Sequence, residues 1–192
     1  YYKHWKVGNH MSTLSVDTIA GQTTAGNVKL PADYVLQVKH GILTAATFTH
    51  QTTSFANITG LSVSITPKYS TSKILITLNL MCSISSASFF IRMSGGNSTS
   101  IIGDATGDNR VSAFMGLGRQ MSGLLLNESA FSLSGQVLDS PATTSAVTYQ
   151  PQVRVSDTSS TRTFHINKAA ADNNNVYRGR YISTITAMEI AQ

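Results

Sequence analysis

Apolar and polar residues alternate with a period of two over most of the chain after residue 60, the pattern of half-buried strands. In LSVSIT, Leu61, Val63 and Ile65 share one face, and Ser62, Ser64 and Thr66 the other. Pro67 then removes a ladder donor, and KYSTSK supplies a polar turn. The return stretch puts Ile74, Ile76, Leu78, Leu80, Cys82 and Ile84 in one row, so residues 61–84 are predicted to form a β-hairpin. Leu75 and Met81 interrupt the opposite, polar face, which points to a neighbour covering it.

Further strands recur at the roughly ten-residue spacing of a sandwich or barrel. SFFIRM carries Phe89, Ile91 and Met93 in register; SAFMGLG follows, and FSLSGQVL carries Phe131, Leu133 and Val137. VTYQPQVRV aligns Val147, Tyr149, Pro151, Val153 and Val155, with Pro151 predicting an edge strand or a bulge. RTFHINK gives a short strand around Phe164 and Ile166. YISTITAMEI sets Ile182, Met188 and Ile190 on one face and runs almost to the terminus, a strand expected to pair inside a sheet and tie down the end. No helical period runs beyond about two turns. The predicted fold is all-β: an antiparallel β-sandwich, jelly-roll-like, as a head domain over residues 41–192. Residues 11–40 are Thr-, Ala- and Gly-rich with sparse apolar positions. They bury too little to fold alone and are predicted to be an extended N-terminal arm that needs a partner surface, such as another copy of the chain. Residues 1–10 are set aside as a tag or cloning scar.

Composition narrows the function. Charged residues make up 12 % of the 192 positions, about half the usual ~25 %, and Ser and Thr fill about a quarter. Fourteen basic against nine acidic residues give a net charge of +5, but the basic residues are scattered singly. That pattern argues against nucleic-acid binding and leaves an anionic cell-surface polymer open as a partner. No apolar run reaches the ~18 residues of a membrane span. The single cysteine, Cys82, excludes an intrachain disulfide and a thiolate metal cluster, and its place in an apolar row marks it as a core residue.

No catalytic pattern emerges. His40, His50 and His165 sit in no nucleophile signature. Asp104 and Asp108 lie in GDATGDNR, whose spacing is not that of a calcium loop and which reads first as a turn. The remaining acids show no paired arrangement for glycoside hydrolysis. The loops TPKYSTSK and DNNNVYRGRY combine a stacking aromatic with a cation, suited to a sugar or a protein surface. Their Lys68, Tyr69, Tyr177, Arg178 and Arg180 are the candidate receptor-binding residues. No catalytic residue, metal ligand or cofactor site is assigned.

Four segments in order resemble the small tail-fibre-like structural proteins of marine and cyanobacterial tailed bacteriophages. They are STLSVDTIAGQTTAGNVKLPADYVLQVKH, FANITGLSVSITPKYSTSKILI, GQVLDSPATTSAVTYQPQVRV and STITAMEIA, together covering nearly all of residues 11–191. The resemblance implies a non-enzymatic virion protein, a tail fibre or spike head built as a homotrimer, with other virion proteins and a host surface glycan or protein as partners. Leu14, Val16 and Ile19 in the arm, with Leu75 and Met81 in the head, are then the candidate subunit-interface residues. A capsid-decoration fibre or fibre-attaching adaptor is the second expectation, and a carbohydrate-binding module the third.

Overall fold

The structure is a computed structural model. It describes residues 32–46, 48–85, 88–97, 102–103, 110–117, 129–156, 163–176 and 178–192. The chain divides into units of residues 1–30 and 31–192, and all described residues belong to the second. They form antiparallel strands with no helix among them. In chain order these are β1 (Val35–Leu43), β2 (Thr49–His50), β3 (Ala56–Asn57), β4 (Val63–Ile65), β5 (Lys73–Ile84) and β6 (Phe89–Ser94), followed by β7 (Met115–Leu117), β8 (Phe131–Asp139), β9 (Val147–Val155), β10 (Phe164–Ile166) and β11 (Ser183–Ile190).

The strands make two sheets. In the first, β5 is central: β8 pairs along one side of it, and β11 then β10 pair along the other. β1 lies outside β11, and β2 outside β10. In the second, β9 is flanked by β6 on one side and by β4 and β3 in succession on the other, with β7 outside β6. One apolar core joins them in a β-sandwich-like fold. Ile74, Ile76, Leu78, Leu80, Cys82 and Ile84 of β5 meet Phe89, Ile91, Met93, Tyr149, Val153 and Val155 of the second sheet, all buried. Burying one such aliphatic side chain is worth about 1.5–3 kcal/mol. A cross-strand hydrogen bond nets about 1 kcal/mol and forms with either face inward. The apolar row therefore decides which face of β5 points in.

Three sequence expectations are corrected. Residues 61–84 are not a hairpin: β4 pairs with β9, and β5 with β8, β10 and β11. Both strands turn apolar rows to the same core from opposite sheets, so alternation alone reads as pairing. The 66–72 connection crosses between sheets, pinned where the Lys68 amide donates to buried Glu189 Oε1 at 2.6 Å. Pro151 sits in an interior strand, not an edge. Its carbonyl accepts from the Ile58 amide at 2.9 Å, and a residue's N–H and C=O point to the same side of a strand. The missing donor therefore faces the gap between β3 and β4, where no ladder bond is lost. Finally, residues 35–40, assigned to the arm, are the first part of β1 and pair with β11.

Buried polar groups tie the ends of the fold. The Tyr149 hydroxyl donates to Asp139 Oδ2 at 2.6 Å, and the Asn97 amide donates to the same carboxylate. Gly95 and Gly96, both at positive φ, bring that turn in; a Cβ on Gly96 would collide with the Asp139 carboxylate. Burial pushes the Cys82 thiol up, and burial with the adjacent Asp139 carboxylate pushes the Tyr149 hydroxyl up. Both groups then hold their protons when folded and release them when unfolded. Their contribution to stability is complete below their unfolded pKa values, about 8.5 for Cys and 10 for Tyr, and is lost as pH rises beyond them. Thermal scans at fixed protein concentration should show a melting temperature falling above about pH 9. In Cys82→Ala that fall should begin about one pH unit later, where tyrosine takes over.

Candidate assembly face and loop sites

The outer face of the first sheet is built in rows across its strands. Leu75 stands opposite Leu138 on β8 and Met188 on β11, and Met188 opposite Val38 on β1. This apolar row spans four strands, with Val38 52 % and Leu138 46 % exposed. The next row, His40, Thr186, Thr77 and Gln136, is polar but paired within itself. His40 Nδ1 and Thr186 Oγ1 are 2.9 Å apart, and Gln136 Nε2 donates to Thr77 Oγ1 at 3.2 Å. In the third row Ser134 Oγ donates to Asn79 Oδ1 at 2.6 Å, beside exposed Ile42. Val35 and Ile190 extend the apolar character at the other end, next to Lys73, the one charge in these rows.

Met81 lies at the far end of the same face, in an open groove of about 500 Å³ lined also by Ile182, Tyr181, Thr184 and Asn79. Leu75 and Met81 thus share a face, six residues apart on β5, or roughly 20 Å at ~3.3 Å per residue. The other interface candidates, Leu14, Val16 and Ile19, lie outside the described residues. Sequence reasoning missed Val38 and Leu138. It grouped Met188 with Ile182 and Ile190 without seeing that this trio faces outward. The signal was present: the inward positions of β11 are Ser183, Ile185, Ala187 and Glu189, and two of those four are polar.

The receptor candidates do not form one site. Lys68 and Tyr69 are in the loop before the first residue of β5. Arg178 and Arg180 are in the connection before β11, beside the other end of β5. From the first residue of β5 to Met81, which lines a groove with Arg180, is eight steps, or roughly 26 Å of strand. Tyr177 lies outside the described residues. Arg180 is ion-paired with Asp172, which Lys168 approaches at 3.5 Å. The hydrogen bond from Arg180 holds the Asp172 carboxyl below the usual range; burial opposes it, and the charges of Arg180 and Lys168 add to the lowering. These groups close the 168–180 loop, which lines an open hollow of about 380 Å³ with Asn173, Asn174 and Asn175.

The histidines are dispersed. His50 stacks on Phe48 and shares a face with Phe164, while His165, opposite Thr49, points the other way. Burial, then the Lys168 charge, hold His165 below the ordinary imidazole range. Asp104 and Asp108 lie outside the described residues. Among the described residues no three His, Cys, Asp or Glu side chains gather in a metal-binding group, and no helix is long and apolar enough to cross a membrane. Comparison with protein-family models finds no match to this chain, and comparison with curated proteins finds none.

Proposed function

We propose that the protein is a non-enzymatic structural subunit of a bacteriophage virion, a tail fibre or spike head, that assembles as a homotrimer and presents its loops to a host cell surface. The observation that carries this reading is the outer face of the first sheet. It is apolar in its first rows, its polar row is satisfied within the sheet, and it holds one charge. Copies of such a face bring few charges together, one lysine from each, and keep the hydrogen bonds of the polar row made. Four strands at ~4.8 Å spacing and eight steps of ~3.3 Å give it a projected area of roughly 500 Å². Side-chain relief raises the accessible area toward the ~800 Å² per partner of a standard interface.

The strand order supports a jelly-roll. With β1/β2, β3/β4 and β10/β11 each taken as one interrupted strand, the described residues make eight strands, in sheet orders 1–8–3–6 and 2–7–4–5. The ordered resemblance to phage fibre proteins supplies the virion setting and the three-fold symmetry. A capsid-decoration fibre or an adaptor would use the same face, and the position of the protein on the virion separates these roles.

The test is the molar mass of the 192-residue chain in solution, by light scattering behind a sizing column. Three chains per particle are expected at micromolar concentration. A single chain per particle overturns the assembly reading.

A further inference from the structure

We infer that the outer face of the second sheet, opposite the proposed assembly face, holds a binding site for an acidic saccharide, recognised through its carboxylates by Arg92 and Arg154. Arg92 on β6 lays its guanidinium over the Phe55 ring, 4.3 Å from the centroid, and Arg154 on β9 places its own 5.8 Å from the same centroid. Two positive charges are thus gathered around one ring. No carboxylate among the described residues pairs with either. The Arg154 Nε is enclosed without an acceptor, a buried donor that the fold leaves uncompensated. A negative charge bound beside it would offset that cost.

The hydrogen bonds around the pair run in one direction. Arg92 Nε donates to Gln152 Oε1 at 2.6 Å, and Gln152 Nε2 donates to Asn57 Oδ1 at 2.7 Å. Each amide oxygen in this relay accepts from within it, which leaves the Asn57 amide nitrogen and the guanidinium Nη groups as donors with no acceptor among the described residues. A surface of that kind selects a ligand that accepts hydrogen bonds and carries negative charge. The apolar side of a sugar ring has a place as well. Phe90 stands opposite Arg154 and is only half-buried, and its other neighbour in the row is Gly116, which has no side chain to cover it. A planar carboxylate matches the guanidinium fork and a pyranose face matches an aromatic ring, so a uronate-type saccharide meets both features. The site gives the host-surface part of the proposed function a ligand class. It does not depend on oligomeric state, so a monomeric protein that binds would retain this site while losing the trimer.

The experiment is calorimetric titration of the full chain with trigalacturonic acid, its methyl ester and sodium acetate, repeated on the double variant Arg92→Gln, Arg154→Gln. The trisaccharide is expected to bind wild type, and to bind the double variant at least about tenfold more weakly, the loss expected from removing charge-assisted hydrogen bonds. The neutral methyl ester should lose a similar factor on wild type. Absence of trisaccharide binding to wild type, or equal binding by the double variant, overturns the proposal. Sodium acetate binding as tightly as the trisaccharide overturns the saccharide assignment. If the double variant does not fold, the side-chain Nε–H resonances of Arg92 and Arg154 in wild type decide: shifts of both with trisaccharide support the site, and their constancy overturns it.

Discussion

Replacing Asn167 by alanine should be among the most destabilising single changes on the described part of the chain, costing about 3–5 kcal/mol, in the range reserved for lost buried networks. Asn167 is fully buried in the link between β10 and β11, at a left-handed φ of 59°. Its Nδ2 donates to the carbonyls of Leu43 at 2.7 Å and Ala45 at 3.1 Å, the last residue of β1 and one just after it. Its Oδ1 accepts from Ser183 Oγ at 2.7 Å, and that hydroxyl in turn accepts from the Met81 amide on β5. The Asn167 backbone donates to Met81 O and accepts from the Tyr181 amide. The side chain therefore joins the end of β1 to the start of β11, with both of its donors and its acceptor engaged, and the Asn167 backbone and Ser183 tie both to β5 at Met81.

Alanine would remove all three side-chain bonds and leave two carbonyls and a hydroxyl short of partners, at about 1–3 kcal/mol for each group left buried. It would also adopt a left-handed conformation at a penalty of about 1–2 kcal/mol that asparagine largely avoids. Two further variants separate these causes. Asn167→Gly keeps the backbone conformation, so it should recover only that last part. Asn167→Asp presents a carboxylate to two carbonyl oxygens and should be at least as damaging as alanine at neutral pH. Chemical denaturation at fixed protein concentration gives the comparison. A loss below about 1 kcal/mol for Asn167→Ala would show that the link holds without this hub.

The sequence made the core rows visible and their pairing invisible. The period-two rows of β5, β6 and β9, and the core role of Cys82, could be read from alternation because burial acts on each strand's own face. Alternation does not encode the partner strand. That is why β4 and β5 read as a hairpin although they belong to different sheets. Pro151 misled for a related reason: the tolerance for a missing donor comes from a gap between two other strands, about ninety residues earlier. Asn167 was invisible because its value lies in carbonyls more than a hundred residues away. The proposed assembly face was half legible. Leu75 and Met81 stood out as apolar residues in a polar register, whereas Val38, Met188 and Leu138 became a row only once three strand registers were fixed. The Arg92–Phe55–Arg154 cluster was not legible at all, since its members come from two strands and the residue that precedes a third.

Leu75→Glu is expected to convert the proposed trimer into single chains while leaving the fold intact. Leu75 sits mid-row between Leu138 and Met188, with its side chain on the outer face, so the core on the other side of β5 is undisturbed. In an assembly closed through this face, the substitution carries a carboxylate into an apolar row whose cross-strand members Leu138, Met188 and Val38 bear no charge. The desolvation penalty is several kcal/mol per ion, and it recurs in every copy. Two or three such penalties exceed what a marginal contact of this area retains after the cost of association. Light scattering should report the mass of one chain at neutral pH, with a circular dichroism spectrum like that of wild type. The charge, not the shape, is the cause, so assembly should return as pH falls below about 4, where a glutamate side chain is neutral. Ser64→Glu places the same charge on the exposed face of the second sheet and should leave the mass unchanged. If Leu75→Glu instead keeps the wild-type mass, the subunits meet through some other surface, and the apolar row of the first sheet is not their contact.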